Sequence, residues 1–347
     1  MLRSYCRYRF SLKRWHGRPA REITRKMRVP LHAMRHCTIF IFLLLPVSAL
    51  AHARNSTPDR RKSNQQVERT VAADARVIVT ACVVSGNLRV QSWDRKEVRA
   101  RISDGVQIDL TRVDEDKSRA ATELKLTSQG GRRARDSSCL PYGDVELQVP
   151  RDATVKLQTS SGEISATDVA RVSATSQSGT ITLNQVRAEA DLSTIGGRIS
   201  VRDSTGAFKL HTIGGSIDAR GLGPAVPGDS LDADTVGGEI MLDRIQHQRV
   251  KVGSVSGEAE YAGPLARGGH YSFHSISGRL RLTLPANSSF RLSGTLGTGG
   301  ELSSDFNVTT EKGSKYNPMR TISGIAGSGD ASINVSYFTG SIQIRKQ

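Results

Sequence analysis

One row of glycines constrains this chain more than any other feature. Gly162, Gly179, Gly197, Gly215, Gly238, Gly257 and Gly278 follow one another at gaps of 17, 18, 18, 23, 19 and 21 residues. The same short phrase surrounds each, from TSSGEISA at 159–166 to HSISGRLRL at 274–282. A period near 20 residues marks a repeat architecture whose units cannot bury their apolar faces alone and must stack.

The columns around the glycine define the unit. Three residues before it stand Thr159, Ser176, Thr194, Thr212, Thr235, Ser254 and Ser275, all hydroxyl side chains. The residue just before it is always Ser or Gly. Apolar residues fill the positions five before, two after and, with few exceptions, four after, as in Leu210, Ile217 and Ala219. Spacing by two is strand periodicity with one buried face. The Ser/Gly–Gly pair interrupts it, where glycine permits positive φ or a close backbone approach. Each unit therefore reads as strand, tight corner, strand. The fold expected is all-β, a β-solenoid of stacked coils of about 18–21 residues. An antiparallel β-sandwich in which each Gly pair is a hairpin turn is the alternative.

Parity places the hydroxyl column inward, where its oxygens can pair with corner backbone groups. A further column, Ile195, Ile213, Val236, Val255 and Ile276, stands two before the glycine. Simple alternation points it outward, as an apolar patch of the kind that marks partner surfaces. The preferred expectation is that the corner shifts the parity and buries these residues in the second sheet.

Charge sorts the chain into leader and domain. Of 49 Lys/Arg and 33 Asp/Glu, eleven basic and one acidic residue lie within 1–51, leaving 38 against 32. A reading as a nucleic-acid or other polyanion binder, built on the total of +16, therefore fails. Residues 34–53 read as a signal peptide: a short basic start at Met34-Arg35-His36, an apolar core from Ile39 to Leu45, and A-x-A patterns ending at Ala51 or Ala53. The apolar run is short for a membrane span, so no stable span is expected in the mature chain. Residues 1–33 form a basic N-terminal extension, with Met27 or Met34 the alternative start. Residues 54–66 read as a polar linker, and 67–347 as the β-strand-repeat domain. Export through the signal places the protein in the periplasm or cell envelope. There, Cys82 and Cys139, the cysteines outside the leader, are expected to form a disulfide, against the reading of two buried thiols.

Within the domain, strands are expected at 76–83, 87–93 and 97–110, and loops at 114–117 and 127–142. The latter loop carries Arg132, Arg133 and Arg135, read as a solvated cluster. Gly86 opens an early copy of the phrase, residues 285–328 read as irregular capping units, and Gly340 sits in a last copy.

Chemistry is sparse. Asp229, Asp232, Asp234 and Glu239 cluster around a Pro/Gly loop, but the repeat turns Asp232 and Asp234 outward as solvating charges. His270 and His274 would lie about 13 Å apart on a strand, too far to share one zinc ion. No catalytic, cofactor-binding or metal-binding residues are assigned, and no cofactor is expected. The repeat phrase, with VVSGNLRVQSWDRKEV at 83–98, VELQVPRDATVKLQTSSGEI at 145–164 and the segment at 277–306, resembles a bacterial adhesin-like β-strand-repeat family that includes YvlB- and LiaG-like proteins. The resemblance covers roughly 67–347. It implies a β-solenoid of the cell envelope, often linked to envelope stress, and carries no catalytic residues over.

The function expected is an exported, non-enzymatic, adhesin-like or interaction module whose partner is an envelope protein or surface glycan. Alternatives are an envelope-stress sensor or regulatory subunit, and a carbohydrate-active β-helix enzyme.

Overall fold

A computed structural model describes residues 66–103, 105–114, 118–128, 139–311 and 319–347, all within the compact unit Arg61–Gln347. The N-terminal extension, the signal segment, nearly all of the linker and the Arg132/Arg133/Arg135 cluster lie outside the described residues.

The repeats alternate a longer and a shorter strand. The longer ones are β8 (Thr154–Ser161), β10 (Arg171–Ser176), β12 (Glu189–Thr194), β14 (Ala207–Thr212), β16 (Ser230–Thr235) and β18 (Arg249–Ser254). The shorter ones are β9 (Ile164–Thr167), β11 (Ile181–Asn184), β13 (Ile199–Arg202), β15 (Ile217–Arg220), β17 (Glu239–Asp243) and β19 (Glu258–Ala262). Each pairs in parallel with its own kind one repeat away, β12 with β10 and β14, and β13 with β11 and β15. Parallel pairing between successive coils is a solenoid. It excludes the antiparallel sandwich, whose hairpin turns would join neighbouring antiparallel strands.

Register puts like on like. Leu192 faces Leu210, Ile199 faces Ile217, and Thr194 faces Thr212. The inward columns, among them Leu157, Leu192, Leu210, Ile164, Ile199 and Ile240, are buried between the two sheets. The return stretch adds a third inward column: Val169, Val186, Ser204, Leu222 and Ile245. Before it the chain turns through Asp168, Gln185, Asp203, Gly221 and Arg244, all at positive φ. This second corner has no constant residue type, and the glycine-centred reading missed it.

The N-terminal strands are β1 (Val67–Ser85), β2 (Leu88–Trp93), β3 (Glu97–Ile102), β4 (Ile108–Arg112), β5 (Ala121–Ser128), β6 (Leu140–Tyr142) and β7 (Val145–Pro150). β1 starts earlier than its pattern implies because its first residues pair antiparallel with β3. The strand expected over 97–110 is broken into β3 and β4, and β5, unforeseen, pairs with both β4 and β1. Cys82 on β1 and Cys139 are disulfide-bonded, with Cα atoms 4.4 Å apart and a separation of 57 in sequence. Closing a loop of that length contributes about 4 kcal/mol in the chain-entropy treatment.

The C-terminal end corrects a second expectation. β20 (His270–Leu284), β21 (Phe290–Ser304), β22 (Val308–Glu311), β23 (Arg320–Ala326) and β24 (Ala331–Lys346) are regular strands where irregular caps were expected. The last strand, β24, inserts between β20 and β21, parallel to both. β23 and β22 then close the end as antiparallel strands. Among the described residues, no helix is long and apolar enough to cross a membrane.

Candidate functional site

The glycine row forms the first corner. A Cβ built on Gly215 would collide with the carbonyl of Gly197, and the same holds for Gly238 over Gly215 and Gly257 over Gly238. Gly179, Gly197 and Gly278 stack in the same way, as do Gly86, Gly162 and Gly340. Close approach of successive coils, more than positive φ, demands glycine here: Gly162 is left-handed at φ 124°, but Gly197, Gly215 and Gly238 are not. The hydroxyl three residues earlier completes the corner. The oxygens of Ser176, Thr194, Thr212, Thr235 and Ser254 accept hydrogen bonds from the backbone N–H of their glycines at 2.7–3.2 Å. These side chains are buried.

The column between hydroxyl and glycine is the feature left for a partner. Ile195, Ile213, Val236, Val255 and Ile276 are exposed, from 41% at Val255 to 58% at Ile276. This overturns the expectation that they are buried. Strand alternation runs through the inward hydroxyl to the next residue, which must point out, and the chain turns only after it. Their carbonyls stay in the ladder, with Gly214 N–H donating to Ile195 O at 2.8 Å and Gly237 N–H to Ile213 O at 2.9 Å. The rungs therefore hold the side chains in line at about 4.8 Å spacing. Phe338 on β24, also exposed, extends the line beyond Ile276, because Ser275 pairs with Tyr337 and Ser277 with Thr339. At the other end Gln177 and Ser160 interrupt it.

The flanks carry mixed charge. His211, Asp234, Gly253 and His274 lie two residues before the stripe, and Arg198, Ser216, Glu239, Glu258 and Arg279 three after it. Glu258 and Arg279 pair at 3.3 Å. An apolar strip with flanks of both signs suits the apolar surface of a protein better than a polyanion.

The acids around the Pro/Gly loop separate. Asp229 accepts from the N–H groups of Ala225 and Val226 at 2.8 and 3.0 Å, closing the loop's own turn. Asp232 and Asp234 lie on the outer face of β16, and Glu239 is exposed on β17. His270 bonds Ser332 Oγ at 2.6 Å, four residues along β20 from His274, which leans over Gly253. No group of three or more His, Cys, Asp or Glu among the described residues has the geometry to hold a metal ion.

Three buried titratable side chains, His247, Tyr261 and Tyr271, serve the return loops. His247 is fully buried; its Nε2 donates to Gly206 O at 2.7 Å, since that carbonyl can only accept. Burial holds its imidazole below its ordinary value of 6.5. Tyr261 donates to Pro264 O at 2.9 Å, and Tyr271 accepts from Ala266 N–H at 2.7 Å. Burial pushes both phenols up, so they remain neutral donors and acceptors.

The repeat geometry has a counterpart among protein families: the family model Toastrack DUF4097 matches residues 59–345. The chain belongs to the Toastrack DUF4097 family. Among solved structures, this Toastrack chain is similar to a "putative adhesin" from Parabacteroides merdae, at 11% identity, 82% of this chain, 98% of that one and a TM-score of 0.40. It is similar also to a "putative lipid binding protein" from Parabacteroides distasonis, at 12% identity, 82% and 98% coverage and a TM-score of 0.42. A "putative cell adhesion protein" from Clostridium sporogenes matches at 12% identity, 82% and 100% coverage and a TM-score of 0.25. No curated protein matches the chain.

Proposed function

We propose that this Toastrack protein is a non-enzymatic interaction module of the cell envelope, adhesin-like in mode, which binds an envelope protein through the stripe from Ile195 to Phe338. The observation that carries this reading is the exposed, in-register apolar line. Leaving such side chains in water is unfavourable, and burying each in a partner recovers hydrophobic free energy. The signal-like segment at 34–53 supports export. The Cys82–Cys139 bond supports an oxidising compartment.

The test is photo-crosslinking in intact cells, with a benzoylphenylalanine placed at Val236 or, as control, at Lys209. The expected result is one discrete protein adduct from Val236, none from Lys209, and loss of the adduct when Ile213 and Ile276 are changed to serine in a protein of unchanged melting temperature. Equal adducts from both positions, or an adduct indifferent to the serines, would contradict the assignment.

A further inference from the structure

The opposite end of the molecule carries a different surface. On the outer face of β2, β3 and β7, register brings two rows together. Arg101, Glu146 and Arg89 form one; Arg99, Gln148 and Gln91 form the other. Between them lies a cleft of about 120 Å³ whose polar lining is Arg89, Gln91, Arg99, Arg101, Gln148 and the Glu146 carboxylate that pairs with Arg89.

The arginines are held in a particular way. One carboxylate, Glu68, meets the Nε of both: Arg101 Nε at 2.7 Å and Arg99 Nε at 3.2 Å. The second contact is an ion pair without hydrogen-bond alignment. Holding two guanidiniums by their Nε atoms leaves the terminal nitrogens of both forks for another group. Arg99 is fixed further by the Trp93 ring, whose centroid lies 4.7 Å from its guanidinium carbon. The indole is itself anchored by Nε1 donating to Glu97 O at 2.8 Å. Beside the forks, Gln148 Oε1 is buried and has no hydrogen-bond partner. A buried amide oxygen left unpaired is costly and asks for a donor.

The chemistry required is thus an anion and a hydroxyl in one ligand. A carboxylate can bridge the terminal nitrogens of Arg99 and Arg101, as Glu68 bridges their Nε atoms, because the planar forks match carboxylate geometry. An ionised carboxylate alone has no proton to give Gln148, and a neutral sugar offers the forks hydroxyl oxygens but no charge. We propose that the face formed by Arg99, Arg101 and Gln148 binds an acidic saccharide, its carboxylate between the two arginines and a neighbouring hydroxyl donating to Gln148 Oε1. Arg89, held to Glu146 at 3.3 Å and largely exposed, stands ready to meet the next acidic unit of an oligomer. The inference stands apart from the stripe, which lies on other strands.

Calorimetric titration of the purified full chain tests it. Trigalacturonate is the probe, maltotriose the neutral control, and inorganic phosphate the anion without sugar hydroxyls. The expected result is binding of trigalacturonate at least tenfold tighter than of either control. Arg101→Gln is expected to weaken it tenfold or more, and Gln148→Leu, on a different strand, about threefold to tenfold, both at unchanged melting temperature. Ile213→Ser is expected to leave the titration as it was, which separates failure here from failure of the stripe. No binding of trigalacturonate, equal binding of phosphate, or unchanged affinity in both cleft variants would overturn the proposal.

Discussion

Ser254 and Ser275 hold the same place in neighbouring coils, yet their hydroxyls do different things. Ser254 Oγ accepts from Gly257 N–H at 2.7 Å. Ser275 Oγ is buried with no partner; at its rung, strand pairing continues through the corner, and Gly278 pairs with Gly340 of β24. Ser254→Ala should therefore cost about 1–3 kcal/mol by orphaning a buried N–H, and Ser275→Ala no more than about 0.5 kcal/mol. Urea denaturation of the two variants measures the difference. The inward hydroxyl column was legible in the sequence because period-two parity determines which side a residue faces. The exception at Ser275 was not, since the continued pairing at that rung depends on β24, a strand more than fifty residues away. The stripe was misjudged at this same scale: Ile213 was expected to follow the corner inward, but the chain turns one residue later.

At the scale of elements, repeated strands were readable and returns were not. Strands carry a constant pattern because every rung buries the same columns. The second corner carries none: Asp168, Gln185, Asp203, Gly221 and Arg244 share only a positive φ. Gln185 and Arg244 lack the turn chemistry that announces such a position. The return after β17 also contains His247, whose depressed basicity has a consequence with a definite sign. The folded state takes up its proton less readily than the unfolded chain, so His247 favours unfolding as pH falls below about 6.5. Its cost is absent above that pH and grows downward until the buried ring itself protonates. His247→Gln keeps a donor for Gly206 O and cannot titrate. Melting temperatures measured from pH 7.5 to 5 should fall less steeply for the variant than for the parent protein, and parallel slopes would contradict this role. Strand order at the C-terminal end was equally hidden, because β24 enters between β20 and β21 out of chain order, and no local pattern reports that.

At the scale of the molecule, the repeat does three things with one phrase. Its inward apolar residues fill the space between sheets, its glycines let coils approach to strand spacing, and its remaining position projects a side chain into solvent at every turn. The projecting column changes character along the axis, from Ser160 and Gln177 to the apolar line ending at Phe338. The arginine face lies towards the opposite end, on β2, β3 and β7. The stacked architecture was legible because a period is visible without knowing any contact. The arginine face was not, since Glu68, Arg101 and Gln148 are distant in sequence and meet only through the register of β1, β3 and β7.

The central claim is that the glycine row is a column of backbone contacts between coils. Adjacent glycines test it most directly. A methyl on Gly215 would strike Gly197 O, while the nearest atom to a methyl on Gly214 is Ile195 O at 3.9 Å, an ordinary contact. Thermal and urea unfolding of Gly214→Ala and Gly215→Ala should therefore diverge: Gly214→Ala stays within about 1 kcal/mol of the parent, and Gly215→Ala loses about 3 kcal/mol or more, or fails to fold. Equal, small losses in the two variants would contradict the stacked corner.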